Sequence, residues 1–131
     1  MKSITVRALA EKFHMQCYTP EEELDKRNIS CVDVNRPALQ LTGYFDYFQR
    51  ERIQIIGTVE YTYLQKMDEN EKNIIYDKLL EFDIPCIIFC RGFEADASLV
   101  EKATVAGIPI LGVTEATSEF MAELIYFMNQ A

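Results

Sequence analysis

The sequence holds a single histidine, His14, and its four cysteines, Cys17, Cys31, Cys86 and Cys90, contain no C-x-x-C pair. A structural zinc site draws on closely spaced cysteine and histidine pairs, so none is expected. On a strand rising roughly 3.3 Å per residue, Cys86 and Cys90 share a face about 13 Å apart, too far for one metal ion. Reduced, buried thiols are the expectation. No apolar run approaches the roughly 18 residues of a membrane-spanning helix. The opening Met1-Lys2-Ser3-Ile4-Thr5-Val6-Arg7 meets charge before a signal-peptide core can form. A soluble, cytoplasmic protein without membrane contact is expected. Blocks of basic residues are also missing. Thirteen basic against 21 acidic residues give a net charge of −8, with residues 1–57 neutral and the whole excess in residues 58–131. Such a half repels polyanions, which excludes general nucleic-acid binding. It reads as a solvated face, with an acidic docking patch as the alternative.

Motifs for autonomous catalysis are absent as well. Gly107 and Gly112 have the separation of a phosphate-loop pair, but Val113-Thr114 stands where lysine and a hydroxyl residue are needed. The Ile-Pro-Ile-Leu between them is strand rather than loop, leaving no cradle for polyphosphate. Neither G-x-G-x-x-G nor G-x-S-x-G occurs, and His14 has no readable nucleophile partner. No catalytic residue and no metal ligand are assigned.

What is present is a globular chain of 131 residues, 49% hydrophobic and 26% charged, enough for one domain with its own core over residues 1–131. Ile4–Val6 reads as a strand and Arg7–Met15 as an amphipathic helix. Thr19-Pro20-Glu21-Glu22 marks a brief helix with Thr19 as cap. Ile29–Val34 follows as a strand, Pro37–Gly43 as a short helix and Arg52–Ile56 as a third strand closed by Gly57. Thr58 is expected to cap a helix carrying Tyr61 and Leu64. A longer helix over Glu69–Phe82 places Ile75, Leu79 and Phe82 on one face with Ile74 alongside.

Asp83-Ile84-Pro85 and Gly107-Ile108-Pro109 then each introduce an apolar strand, Cys86–Phe89 and Ile110–Val113. Proline is tolerated at a strand's first position. Ala97–Ala106 between them is helical, with a capping box over Ser98–Glu101 and Gly107 as terminator. Near-continuous apolar strands alternating with helices predict a three-layer α/β/α fold with an open, mostly parallel sheet of about five strands. The last helix, about Ala116–Asn129, is apolar over a wide arc of Phe120, Met121, Leu124, Ile125, Phe127 and Met128. That breadth implies two buried faces or one face that awaits a partner.

Ligands of open α/β sheets bind beyond the carboxyl ends of the strands. Those ends offer Asn35 and Arg36, Arg91 and Gly92, and Thr117 and Ser118 at a helix start, a plausible anion receptor against the plainer reading of solvated arginines and ordinary caps. The aromatic run Tyr44, Phe45, Tyr47 and Phe48, and Phe127 on the last helix, are candidate interface residues, packing over the sheet edge being the alternative for the run.

The segment Asn35-Arg36-Pro37-Ala38-Leu39-Gln40-Leu41-Thr42-Gly43-Tyr44-Phe45-Asp46-Tyr47-Phe48, with Glu51–Gly57 and Glu60-Tyr61, resembles the N-terminal domain of bacterial HPr kinase/phosphorylase. The likeness continues through Ile84–Ile88, Arg91-Gly92, Gly107–Pro109 and Thr117–Phe120. It implies a bifunctional enzyme that phosphorylates and dephosphorylates a serine of the phosphocarrier HPr in carbon catabolite regulation. It also implies that ATP and Mg2+ are handled by a C-terminal kinase domain absent here, that the parent is a hexamer, and that the fold is similar to Mur ligase N-terminal domains, which bind UDP-linked precursors. No established binding role accompanies Arg36 or Arg91. The expected role is non-catalytic assembly or regulation. The alternatives are a module for an anionic or nucleotide-diphosphate ligand, or an interaction domain.

Overall fold

Four strands, β4 (Val34–Asn35), β5 (Ile53–Ile56), β6 (Ile87–Phe89) and β7 (Ile110–Gly112), run parallel, and β2 (Gln16–Cys17) closes the sheet antiparallel, in the order β2-β7-β6-β5-β4. The structure is a computed structural model and describes residues 3–131. Met1 and Lys2, which open the segment read for a leader peptide, lie outside the described residues.

Side chains alternate across each strand, so a strand covered on both sides is apolar at every position. Ile53, Ile55, Cys86, Ile88, Cys90, Leu111 and Val113 face one core, and Ile56, Ile87, Phe89 and Ile110 the other. The first core is covered by α1 (Val6–Lys12) and α6 (Thr117–Gln130), through Leu9, Phe120, Leu124 and Met128. The second is covered by α2 (Ala38–Leu41), α3 (Thr58–Gln65), α4 (Glu69–Glu81) and α5 (Ala97–Ala106). Successive parallel strands joined by crossovers of one hand place all their helices on one face. The expected three-layer α/β/α architecture with a five-stranded, mostly parallel sheet is therefore observed.

Several local expectations fail for identifiable reasons. Val6 begins α1 rather than ending a strand, because the Thr5 hydroxyl accepts from the Ala8 N–H at 3.1 Å; β1 is only Ile4–Thr5. The helix stops at Lys12, not Met15; His14, at φ +50°, turns the chain into β2, which sequence periodicity did not reveal. Thr19 caps nothing. Its hydroxyl accepts from the Ile110 N–H at 3.2 Å, and Glu21–Asp25 forms a 3-10 turn. The stretch Ile29–Val34 is two strands in two sheets: β3 (Asn28–Ile29) pairs antiparallel with β1, while β4 joins the main sheet.

Thr58 is the first helical residue instead of the cap, since the Glu60 carboxylate accepts from the Gly57 N–H at 2.7 Å. On α4, Tyr76 is buried and Ile74 exposed. The α5 cap is Asp96, whose side chain does not cap the helix and instead accepts from Tyr76 Oη at 2.5 Å and Lys72 Nζ at 3.2 Å. Burial disfavours the Lys72 ammonium, but its bonds to Asp96 and Glu69 outweigh this and raise its pKa.

The two Ile-Pro junctions meet at one side chain. Arg27 donates to the carbonyls of Gly107 at 2.9 Å, Ala106 at 3.3 Å and Ile84 at 3.5 Å, and pairs with Asp83. It thereby satisfies carbonyls left open where α5 ends at Gly107, a glycine at φ +72°. Arg27→Ala should lower the unfolding free energy by about 2 kcal/mol, the scale of charge-assisted hydrogen bonds, here to partly buried carbonyls. A fall in the urea midpoint at unchanged slope would register it, with Arg27→Lys recovering only part.

Candidate functional site

The carboxyl ends of the parallel strands carry the polar side chains that the two cores exclude. At the end of β4, Asn35 Nδ2 donates to Gln54 Oε1 at 2.7 Å and to Gln40 Oε1 at 3.2 Å. Gln54, in the middle of β5, is fully buried and donates its own Nε2 to the Arg52 carbonyl at 2.9 Å. A buried amide in a central strand is tolerated because its hydrogen-bonding groups are matched.

Next to it, Arg36 Nε and Nη2 donate to Glu60 Oε1 at 3.0 and 2.7 Å. The same oxygen holds the Gly57 N–H, so three donors converge on one oxygen of a side chain that is 2% exposed. Gly57 is required by space: a Cβ there would lie 2.6 Å from Arg36 Nη2 and 2.7 Å from Thr117 Oγ1. The Thr117 hydroxyl is buried at the start of α6 and makes no well-formed hydrogen bond among the described residues. It lies against the Cys90 thiol. Burial pushes that thiol up to about 11, opposed by Thr117 and the Arg36 charge, and Cys86, wholly buried, up to about 12.

The structure thus brings Asn35, Arg36 and Thr117 into one neighbourhood around Gly57 and Glu60. Arg91 and Gly92 stand at another point of the same edge, where their N–H groups donate to the carbonyls of Glu115 and Val113, both at 2.9 Å. Ser118 is exposed on the first turn of α6. Arg36 is engaged by Glu60 while still partly exposed, a pairing the sequence reading did not foresee. Its signal was the spacing Gly57-x-x-Glu60, which matches a capping box with glycine at the cap.

The aromatic run divides. Phe45 and Phe48 lie on Phe82, the residue that caps the end of α4, with ring centroids 5.4 and 4.9 Å away, while Tyr44 is exposed and Tyr47, at φ +61°, is 96% exposed. Phe127 meets Phe13 edge-on at 5.8 Å beneath Lys12, and with Tyr126 lines an apolar groove of about 610 Å3 on α6. Among the described residues no helix is long and apolar enough to cross a membrane, and no group of three His, Cys, Asp or Glu converges as metal ligands would.

Comparison with known proteins decides the family. The model for "HPr Serine kinase N terminus" matches residues 4–128. The chain belongs to this family. It is 45% identical over 129 residues to an HPr kinase/phosphorylase of Lachnoclostridium phytofermentans, covering 98% of this chain and 42% of that protein. It is 35% identical over 127 residues to one from Lacticaseibacillus casei BL23, covering 97% of this chain and 40% of that protein. It therefore spans about two fifths of these curated relatives. A solved structure of the CBS and DRTGG domains of the regulatory region of Clostridium perfringens pyrophosphatase, complexed with its activator diadenosine tetraphosphate, superposes with a TM-score of 0.61. At 16% identity, over 92% of this chain and 45% of that one, this likeness is one of fold.

Two outcomes follow for this HPr serine kinase N-terminal chain. Arg36→Ala strands the buried Glu60 carboxylate and should cost about 2 kcal/mol of stability, below the ~3–5 of a fully buried pair because Arg36 is 35% exposed. Chemical denaturation of the variant beside Glu60→Gln, which retains an acceptor for Gly57, gives the measurement. Second, the raised pKa values keep Cys86 and Cys90 protonated where an unfolded thiol ionises. The stability they contribute is complete below about pH 9 and is lost as pH rises towards 11 to 12. Ellman's reagent at pH 8 should leave both unreacted in the folded chain and reach them only on unfolding.

Proposed function

We propose that the chain is a non-catalytic, assembly and regulatory portion of an HPr kinase/phosphorylase, an enzyme that phosphorylates and dephosphorylates a serine of HPr. The family match over residues 4–128, within relatives of which the chain covers only about two fifths, carries this reading. Supporting it, the Gly107–Gly112 segment is strand β7 and its lead-in, held in the sheet, so it has no free N–H cradle for a triphosphate. ATP and Mg2+ would be handled by the remainder of such an enzyme, in the cytoplasm. Assembly into a homo-oligomer would draw on the apolar groove beside Phe127 and Tyr126. Incubated with ATP, Mg2+ and HPr, the 131-residue chain should yield no phosphoserine by mass spectrometry, whereas clear turnover would overturn the reading.

A second reading, an anion receptor at the carboxyl edge, has one observation in its favour: the Thr117 hydroxyl, buried without a good partner beside the Arg36 guanidinium at the start of a 14-residue helix.

A further inference from the structure

A separate recess of about 260 Å3 opens where the chain changes faces. β6 leads into α5 on one side of the sheet and β7 into α6 on the other, which makes the gap at their carboxyl ends the topological switch point. β2 and the turn before it close the outer side. Phe13, Tyr18 and Phe93 supply carbon walls, and Phe93 is held by stacking on Tyr61 at 4.2 Å. Gly112 lets the Tyr18 ring lie against β7, since a Cβ there would be 3.2 Å from Tyr18 Cε2.

The backbone of the rim is constrained. His14 at φ +50° and Arg91 at φ +61° are non-glycine residues in the left-handed region, a conformation that costs energy and clusters at ligand sites. The Arg91 N–H donates to the Glu115 carbonyl at 2.9 Å, which fixes the rim across the two strand ends.

Charge selects the ligand class. Among the described residues no lysine or arginine side chain lines the recess; Glu115 is its carboxylate and His14 its one imidazole, while Arg91 gives backbone to the rim and its side chain is exposed. Tyr18 has its pKa raised, first by burial and then by Glu94, so a second carboxylate bears on the same ring. Two carboxylates against one imidazole among these side chains disfavour a phosphate or carboxylate ligand. A bare metal ion lacks ligands, because no three His, Cys, Asp or Glu converge among the described residues. Aromatic carbon with a carboxylate attracts an ammonium group.

We infer that the recess between β2, β6 and β7 binds a small organic cation of the ammonium class, with Glu115 opposing the charge and Phe13, Tyr18 and Phe93 enclosing the carbon. This goes beyond the kinase-family reading and stands independently of it. Choline, titrated into the 131-residue chain, should produce saturable amide shifts at Gly92, Gly112 and Glu115. Its uncharged isostere 3,3-dimethyl-1-butanol and inorganic phosphate should not. Glu115→Gln should weaken choline binding at least tenfold, and Gly112→Ala, whose Cβ would crowd the Tyr18 ring that lines the recess, should do the same. A choline Kd weaker than about 10 mM, equal binding of the isostere, or undiminished affinity in Glu115→Gln would each overturn the assignment. Should Gly112→Ala fail to fold, the surface substitution Glu115→Gln decides alone.

Discussion

The rest of the molecule depends on a sheet whose central strands have water on neither side. Every residue of β5, β6 and β7 is buried, and alternate positions feed opposite cores. Each large aliphatic or aromatic side chain so covered contributes roughly 1.5–3 kcal/mol, so neither face can be left open. Helices α2 to α5 cover one face as the strands are laid down in order. The other must be covered by the segments before and after, and α1 and α6 do this through Leu9, Phe120, Leu124 and Met128. The change of face after β7 is thus a consequence of burial on both sides, and it places a crevice at the carboxyl edge.

That edge is also where polar side chains can be afforded partners. Gln54 enters the sheet only because Asn35 and the Arg52 carbonyl receive it. Glu60 is buried only because Arg36 and the Gly57 N–H meet one of its oxygens. The β4–β5 side of the edge is consequently filled by interactions within the chain, and the β6–β7 side keeps a recess. A guanidinium engaged by a buried carboxylate fixes α3 against β4; it is a different object from the open arginine that a strand-end position suggests.

How much of this could be read in the sequence follows the range of the forces involved. β5, β6, β7, α4 and α5 carry long periodic or continuous apolar patterns bounded by glycine or proline, and their positions were legible to within a residue or two. β2 and β4 were not, because a two-residue strand exists only through its neighbour: Gln16 and Cys17 through Gly112 and Leu111, Val34 and Asn35 through Ile53 and Gln54. Thr19 shows the same limit at one hydroxyl. Its local context, before Pro20 and two glutamates, favours a cap, yet the Ile110 N–H, distant in sequence, takes it. The site residues Asn35, Arg36 and Thr117 were legible as strand-end and helix-start positions, but their joining at Gly57 was not, since close backbone approach leaves no mark in sequence beyond the glycine itself.

The two Ile-Pro junctions show how one distant side chain turns local similarity into a tertiary constraint. Proline gives no N–H, yet the Pro109 carbonyl still accepts from Ile87 at 3.0 Å, so the ladder between β6 and β7 begins at the proline. The chain leaving α5 must turn sharply at Gly107 to make that start, exposing the helix's last carbonyls, and it is Arg27, from the opposite face, that meets them. The segment between α1 and β4, irregular and weakly patterned in sequence, therefore ties the two faces together at the amino-terminal end of the sheet. The carboxyl end is shared between the buried contacts of Asn35, Arg36 and Glu60 on the β4–β5 side and the recess on the β6–β7 side, so the candidate binding surface lies at the end of the strands opposite the Arg27 contacts.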